Sequence, residues 1–232
     1  MIICHKYKFI FLKTNKTAGT SIEIALSRIC GSDDVITPIS AEDEVLRQSL
    51  GARGPQHYFA PILDYSLGDW KRTICKGERK KRFYSHMSAC EIKALLAPEI
   101  WCNYYKFCFE RNPWDRLISL YYWRNRRKVV MPSLSDYIDS GEMNRMKKRG
   151  REVYTIDGVP IVDRLCRYER LDEELDEVRR HLGIPESLEL PRAKSSLRKD
   201  RRNFREILSA DDAEKIRRMF WEEIDELGYT FH

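Results

Sequence analysis

The sequence predicts an α/β fold in which helices flank a central, mainly parallel sheet. Two segments, starting near residues 7 and 104, each carry a short apolar run, then a loop with cationic and hydroxyl groups, then apolar residues at helical spacing. A strand followed by a loop and a helix is the repeating unit of such folds. The chain has 232 residues, of which 42% are hydrophobic. This length suits one compact domain, and we expect a single domain at residues 1–232.

The first of these units begins near the amino end. Residues 1–12 predict a strand rather than a signal peptide, because Lys6 and Lys8 interrupt the apolar run and no small-residue cleavage site follows. We expect the buried part of this strand at residues 7–12. Residues 17–29 then carry apolar side chains at helical spacing and predict a helix.

Further elements follow from spacing and capping signals. Residues 31–80 are rich in Gly, Pro and charge and predict a long surface excursion with little regular structure. Ser88 and Glu91 have the spacing of a capping box, and Asp157-Gly158 supplies the positive φ of a hairpin turn. In chain order, the predicted elements are a helix near 41–50, a strand at 82–85, a helix from 88, a strand at 104–110, a helix from 113, a hairpin at 152–162, and helices at 171–182 and 209–227.

The charge balance is modestly basic. Lys and Arg number 42 against 36 Asp and Glu, which gives a net charge of +6. This excess favours anionic ligands near the basic stretches but is too small to indicate a nucleic-acid partner, and we expect none. The basic stretches lie at 76–82, 124–128, 145–151 and 198–202, and we expect most of them to be solvated surface.

Cysteine spacing and hydropathy exclude several classes of protein. The seven cysteines form neither a CxxC pair nor a Cys/His cluster with zinc spacing, so the sequence predicts neither a disulfide scaffold nor a metal site. Thiols in this pattern are typical of a reducing compartment, and we expect a cytoplasmic protein. No apolar run approaches the roughly 20 residues needed to cross a bilayer, so we expect no stable membrane insertion.

The first polar loop predicts an anion site at the start of a helix. Its residues are Lys16, Thr17, Ala18, Gly19, Thr20 and Ser21. A loop between a strand and a helix aims backbone N–H groups and the positive helix end at one point, where Lys16 adds charge. The loop is not a Walker A sequence, because Lys16 precedes Gly19 by three residues instead of following a glycine. Taken alone, it is equally compatible with a capped helix after a buried strand.

The second polar loop predicts another anion pocket. Arg111 ends the predicted strand, and Ser119 lies two turns into the following helix, so a guanidinium and a hydroxyl can bind one phosphate together. The alternative is that Arg111 forms a structural ion pair and Ser119 is a small packing residue. Glu110 places a carboxylate beside Arg111, but strand alternation predicts that it faces away.

Together the two loops resemble the 5′-phosphosulfate loop and the 3′-phosphate motif of sulfotransferases that use 3′-phosphoadenosine 5′-phosphosulfate (PAPS). The stretch RNPWDR and the following Ser119 carry most of the likeness, which extends from Phe9 to Phe231. The chain is most similar to the carbohydrate branch, which includes heparan and chondroitin O-sulfotransferases and bacterial relatives. Asn15 and Ala18 depart from it, since they replace the Pro and Gly common in relatives.

The resemblance implies a P-loop-like, three-layer fold and a PAPS-dependent enzyme. It implies that residues 16–21 hold the 5′-phosphosulfate and that Arg111 and Ser119 hold the 3′-phosphate. Because the sulfuryl group carries less charge than a phosphoryl group, its transfer requires no metal. A late loop closes over the donor in the family, and Ser195 and Arg198 lie in the corresponding region. The acceptor is expected to be a hydroxyl of a glycan or glycolipid. Glu169, at a junction that recurs in relatives, is expected to form a structural ion pair.

Sulfuryl transfer needs a neutralised leaving group and a base for the acceptor hydroxyl. We assign the first role to Lys16, with help from Thr20 and Ser21. Of five histidines, His86 follows a predicted strand and precedes a helix, and the resemblance implies that it is the base. The alternative is a helix-capping or surface histidine, and His57 is the second choice for the base.

Two other functions use the same features. A nucleotide kinase or NTPase would use the same strand, loop and helix, although the Walker lysine is missing. A non-enzymatic module that binds sulfated or phosphorylated glycans or nucleic acid would use the basic stretches and the 12 tyrosines, and would leave the paired loops unexplained.

Overall fold

A five-stranded sheet forms the centre of the computed structural model, which describes residues 1–191, 200 and 202–231. Its strands are β1 (Ile2–Cys4), β2 (Phe9–Leu12), β3 (Val35–Ile36), β4 (Tyr105–Glu110) and β7 (Arg164–Arg167), in the spatial order β3-β1-β2-β4-β7. The pairs β2–β4 and β4–β7 are parallel, whereas β1 is antiparallel to both of its neighbours. Four of the five strands therefore run in one direction, and the predicted mainly parallel sheet is confirmed. Two short strands, β5 (Thr155–Ile156) and β6 (Val159–Pro160), form a separate hairpin.

Helices surround this sheet. In chain order they are α1 (Gly19–Ser27), α2 (Ala41–Ser49), α3 (Leu67–Lys76), α4 (Ala89–Leu95), α5 (Pro98–Asn103), α6 (Pro113–Asn125), α7 (Leu134–Tyr137), α8 (Met143–Lys148), α9 (Arg151–Tyr154), α10 (Leu171–His181), α11 (Phe204–Ile207), α12 (Ala210–Met219) and α13 (Trp221–Leu227). A π-helical turn at Ile138–Glu142 joins α7 to α8, and 3₁₀ turns occupy Ile62–Asp64 and Tyr168–Arg170. None of the described helices combines the length and the apolar character that crossing a bilayer requires.

Strand alternation distributes the apolar residues over both faces of the sheet. On one face, Phe9, Phe11 and Phe107 pack with residues of α1 and α10. On the other, Ile10 and Leu12 pack with residues of α4 and α9. A third cluster packs α6 against α11, α12 and α13. The mixed α/β architecture thus follows from apolar residues that recur at the spacing of strands and at the spacing of helices, as the sequence predicts.

Several boundaries follow the predicted capping signals. The side chain of Ser88 accepts a hydrogen bond from the Glu91 N–H, and the Glu91 carboxylate accepts one from the Ser88 N–H, so the capping box is confirmed. Asp157 and Gly158 both have positive φ at the tip of the β5–β6 hairpin. Gly228, with φ of 60°, ends α13. These boundaries lie where a nearby side chain caps the helix or where a residue with positive φ turns the chain.

Four predicted elements differ from the structure. Residues 1–12 are two strands, since the chain turns at residues 5–8, where Lys8 has φ of 51° and Asp34 accepts a 2.6 Å hydrogen bond from the His5 N–H. Residues 82–85 form no strand, because the Arg82 and Phe83 N–H groups donate to the Tyr58 carbonyl instead of to a ladder.

The other two differences are a shortened hairpin and a broken helix. Residues 151–154 are helical, so the hairpin starts only at residue 155. The predicted helix at 209–227 breaks at Phe220, whose φ of −116° leaves the helical region while its side chain is fully buried against α6. The predicted surface excursion also contains the unpredicted strand β3 and helix α3.

A buried ion pair joins the two strand–loop–helix units. Glu110, the last residue of β4, pairs with Arg116 of α6, and both side chains are at most 1% exposed. The Arg116 Nε donates a 2.8 Å hydrogen bond to the Asn15 carbonyl in the first loop. The Asn15 N–H in turn donates to the Arg149 carbonyl at 2.9 Å. At Gly150 a Cβ atom would lie 2.4 Å from the Arg116 Nη2, so only glycine fits beside the guanidinium there.

We expect Arg116→Met to lower the free energy of unfolding by about 3–5 kcal/mol, because it leaves the Glu110 carboxylate buried without its cation. Urea denaturation followed by circular dichroism measures this loss. The control is Arg217→Met, which removes an exposed ion pair with Glu214 on α12 and is expected to leave stability nearly unchanged. Equal losses in the two variants would contradict the structural importance of the pair.

Candidate active site

A cavity of about 380 Å³ lies where β2 and β4 end and α1 and α6 begin. Most of the residues predicted from the two loops line it, although the loops are about 95 residues apart in the chain. The predicted residues that line the cavity are Lys16, Ala18, Gly19, Thr20, Ser21, His86, Arg111 and Ser119. Because β2 and β4 are adjacent and parallel, their carboxyl ends bring the two loops to the same edge of the sheet.

The first loop points backbone donors into the cavity. Lys16 and Ala18 have left-handed φ of 66° and 58°, a conformation that turns successive N–H groups to one side. Within the described residues no side chain caps α1, so the first-turn N–H groups of Gly19, Thr20 and Ser21 are not satisfied by an N-cap. An uncapped helix start beside a lysine is a site for an anion.

Gly19 has a different role from the one usually given to a loop glycine. Its φ is not left-handed; instead, a Cβ atom would lie 2.8 Å from the Lys13 Cγ. The Lys13 side chain passes under the start of α1 and pairs with the fully buried Glu23. Sequence reasoning missed Lys13, whose only signal was its position directly after β2 at the end of an apolar run.

Thr17 turns away from the cavity. Its hydroxyl forms a 2.8 Å hydrogen bond with the Thr14 hydroxyl, and Thr14 donates to the Phe109 carbonyl of β4. The two threonines therefore attach the loop to the neighbouring strand. Of the hydroxyls predicted to face an anion, those of Thr20 and Ser21 belong to cavity residues, whereas that of Thr17 is internal.

Arg111 combines the two roles that the sequence left open. Its Nε and Nη2 donate to Asp115, the Nε at 2.9 Å, so the structural ion pair exists. Its Nη1 donates to the Lys16 carbonyl at 3.2 Å, and its guanidinium stacks 4.2 Å from the Tyr168 ring centroid. These hydrogen bonds use three of the five guanidinium N–H groups. Arg111 is thus held in position at the cavity, and hydrogen bonds to other described residues leave two of its N–H groups available.

Helix α6 differs from α1 at its start. The Asn112 side chain accepts hydrogen bonds from the Trp114 and Asp115 N–H groups, so this helix is capped by its own residue. Any anion here is bound by side chains rather than by the helix end. Ser119, two turns into α6, lines the cavity together with Trp123, whose ring centroid lies 5.6 Å from the Lys16 Nζ.

His86 lies on the cavity wall with a defined tautomer. Its Nδ1 is 2.8 Å from the Lys13 carbonyl, which can only accept, so Nδ1 carries the proton and Nε2 has the lone pair. Burial and the Lys13 charge lower the pKa of His86 to about 3. The imidazole is neutral at physiological pH. His57 is exposed, bonds to the Ser32 carbonyl at 2.8 Å and does not line the cavity, so its position does not support the role of base.

Three further residues were singled out in the sequence. Glu169 does not line the cavity, and Ser195 and Arg198 are not described by the structure. Glu169 accepts hydrogen bonds from the Asn112 N–H and the Tyr229 hydroxyl, both at 2.8 Å. In the described part of the chain it is therefore held by hydrogen bonds rather than by the expected ion pair.

The structure also assembles one group of potential metal ligands that spacing did not reveal. The ligand atoms of Cys4, Cys30 and Asp34 lie within 4.8 Å of one another, and all three residues are buried. The Asp34 carboxylate accepts from the Gly31 and His5 N–H groups at 2.7 and 2.6 Å. These hydrogen bonds give the group a structural role at the turn after α1.

We expect opposite effects on stability from substitutions at two adjacent loop positions. Ala18→Gly relieves the strain of a left-handed alanine, but it also adds conformational entropy to the unfolded chain. The net effect should raise the free energy of unfolding by about 0.5–1 kcal/mol. Gly19→Ala pushes a Cβ atom into the Lys13 side chain and should lower it by about 1–3 kcal/mol. Chemical denaturation measures both, and a shift of the same sign in both variants would refute the loop geometry.

Comparison with known proteins gives the family of this chain. The model of the sulfotransferase family matches residues 1–230. An uncharacterized protein of Archaeoglobus fulgidus is 28% identical over 106 residues, which cover 45% of this chain and 88% of that protein. No solved structure matches the chain. The match along nearly the whole chain shows that this protein belongs to the sulfotransferase family, whose enzymes transfer sulfuryl groups.

Proposed function

We propose that the protein transfers a sulfuryl group from PAPS to a carbohydrate hydroxyl and releases adenosine 3′,5′-bisphosphate. The observation that carries this proposal is the convergence of Lys16, His86, Arg111 and Ser119 on one cavity. Its volume of about 380 Å³ is within the roughly 300–1,000 Å³ typical of small-molecule sites.

The 5′-phosphosulfate binds at the start of α1. The uncapped N–H groups and the positive helix end supply hydrogen bonds and charge there, and Lys16 neutralises the phosphate that leaves. Thr20 and Ser21 add hydroxyl donors from the first helical turn. Thr17, Ala18 and Gly19 act through the backbone and the shape of the loop.

The 3′-phosphate binds between Arg111 and Ser119. Asp115 and the Lys16 carbonyl fix the guanidinium before the donor arrives, which reduces the entropy that binding must overcome. The two remaining guanidinium N–H groups and the Ser119 hydroxyl then bind the phosphate. Ser195 and Arg198 are proposed to help cover the bound donor, as the resemblance implies.

His86 is the base. The bond from sulfur to the 5′-phosphate oxygen breaks, a bond from sulfur to the acceptor oxygen forms, and the phosphate keeps the electron pair. The His86 Nε2 takes the hydroxyl proton, while the hydrogen bond from Nδ1 to the Lys13 carbonyl fixes the ring. This assignment needs no metal ion.

The proposal also covers the acceptor class, the fold, the domain organisation and the location of the protein. We propose a glycan or glycolipid acceptor, a P-loop-like three-layer fold in which residues 1–232 form one domain, and a cytoplasmic protein. The parallel strands β2, β4 and β7 and the helices on both faces of the sheet support the fold class. Sulfotransferase membership argues against the kinase and the glycan-binding module.

We expect adenosine 3′,5′-bisphosphate to raise the melting temperature without magnesium, and ATP to raise it less, because only the former has a 3′-phosphate. In calorimetry, Lys16→Ala and Arg111→Ala should each weaken binding by about 10- to 100-fold, the contribution of a hydrogen bond to a charged group.

Two matched controls accompany these variants. Lys8→Ala removes an exposed lysine that also has left-handed φ but lies in the β1–β2 turn. Arg164→Ala removes an ion-paired arginine at the start of β7. Both should bind the nucleotide like the unmodified protein. Unchanged affinity in Lys16→Ala and Arg111→Ala would disprove the donor site.

His86→Asn should reduce kcat by about 10²- to 10⁴-fold and leave nucleotide binding nearly intact. The assay uses the best acceptor from a screen with sulfur-labelled PAPS, with His57→Asn as the control. Because the free protein protonates His86 only near pH 3, kcat/KM for the donor should show no acidic limb near pH 6.5. A limb with that midpoint, or unchanged kcat in His86→Asn, would eliminate His86 as the base.

A further inference from the structure

Helix α3 and the turn before it expose a continuous apolar stripe. On α3, Leu67, Trp70 and Ile74 recur at the spacing of one helix face and are 90%, 42% and 77% exposed, and Leu63 in the preceding 3₁₀ turn is 97% exposed. Apolar side chains on one face of a helix usually pack on the core. Here the stripe faces away from the protein, and α3 contains no buried residue.

The polar side of α3 holds the helix in this orientation. Asp69 and Thr73 are the more buried positions, together with Trp70 at the edge of the stripe. Asp69 pairs with Lys80 at 2.9 Å, and the Thr73 hydroxyl donates to the Glu78 carbonyl at 3.0 Å. A capping box formed by Ser66 and Asp69 starts the helix. These polar contacts attach the side of α3 away from the stripe to the segment that follows the helix.

The surroundings of the stripe are basic. Residues 61–82 contain seven Lys and Arg against three Asp and Glu. Lys71, Arg72 and Lys76 are exposed, and in the described part of the chain none of them forms an ion pair. An amphipathic helix with large apolar residues on one side and cations beside them is the pattern of helices that lie in a membrane interface.

We propose that the α3 stripe docks the protein on an anionic lipid bilayer. The apolar side chains enter the boundary between headgroups and acyl chains, and Lys71, Arg72 and Lys76 contact the lipid phosphates. The basic composition favours lipid over a protein partner, because protein interfaces are depleted of lysine. The inference uses no residue of the cavity and is independent of the proposed donor and acceptor.

The test is co-sedimentation with vesicles of phosphatidylglycerol and phosphatidylcholine, compared with vesicles of phosphatidylcholine alone. The protein should bind the anionic vesicles, and binding should fall as salt is added. Lys71→Gln with Lys76→Gln should weaken it by about fivefold for each cation removed. Leu67→Ser with Ile74→Ser should weaken it by at least about tenfold.

The matched control is Val45→Ser on α2, which removes an apolar side chain that is 67% exposed beside acidic residues. It should bind vesicles like the unmodified protein. All variants should keep the original melting temperature, because the replaced side chains are exposed. Loss of binding in Val45→Ser, or equal binding to both kinds of vesicle, would overturn the proposal.

Trp70 gives a direct readout of contact with the bilayer. Vesicles of brominated lipid should quench the protein fluorescence, and Trp70→Phe should abolish most of the quenching while it still binds. Unchanged quenching would place another of the five tryptophans in the lipid and overturn the assignment. A dimer that Leu67→Ser with Ile74→Ser dissociates, without vesicle binding, would also overturn it and make the stripe a subunit interface.

Discussion

The buried ion pair between Glu110 and Arg116 fixes the geometry on which the cavity depends. Removing two charges from water is unfavourable, and burial raises the pKa of the Glu110 carboxyl. The pair is retained at the point where β4 ends, and Arg116 also binds the Asn15 carbonyl of the first loop. One guanidinium therefore connects the second strand–loop–helix unit to the first. Arg116 thus holds the first loop against the end of β4.

The two strand–loop–helix units present positive charge to the cavity in different ways. In the part of the chain that the structure describes, no side chain caps the start of α1 at Gly19, so its backbone N–H groups and its dipole act on the cavity. Helix α6 is capped by Asn112, which satisfies its first N–H groups, and presents the side chains of Arg111 and Ser119 instead. Under the proposed function, the first unit therefore binds through main-chain N–H groups together with Lys16, Thr20 and Ser21, and the second through side-chain donors alone.

The local parts of this arrangement could be predicted from the sequence, and the long-range parts could not. The anion loop, Arg111 and the Ser88 capping box have signals within a few residues, and the structure brings the cavity residues together as the parallel strands require. Lys13 gave no comparable signal, because its role depends on Glu23 and on the close approach of Gly19. The helical residues 67–76 were missed since their apolar side faces solvent, which a search for core-forming periodicity does not anticipate.

Under the proposed function, the charges in and beside the cavity determine the protonation state of the base. Burial and the nearby Lys13 keep His86 neutral, so its Nε2 lone pair is available before any ligand binds. A base with so low a pKa accepts a proton poorly, since proton transfer is most effective when the pKa is close to the working pH. The phosphosulfate and the 3′-phosphate bring negative charge into the same cavity, and nearby negative charge raises the pKa of a histidine. The imidazole therefore becomes a stronger base when the donor is bound, which couples removal of the acceptor proton to the presence of the group to be transferred.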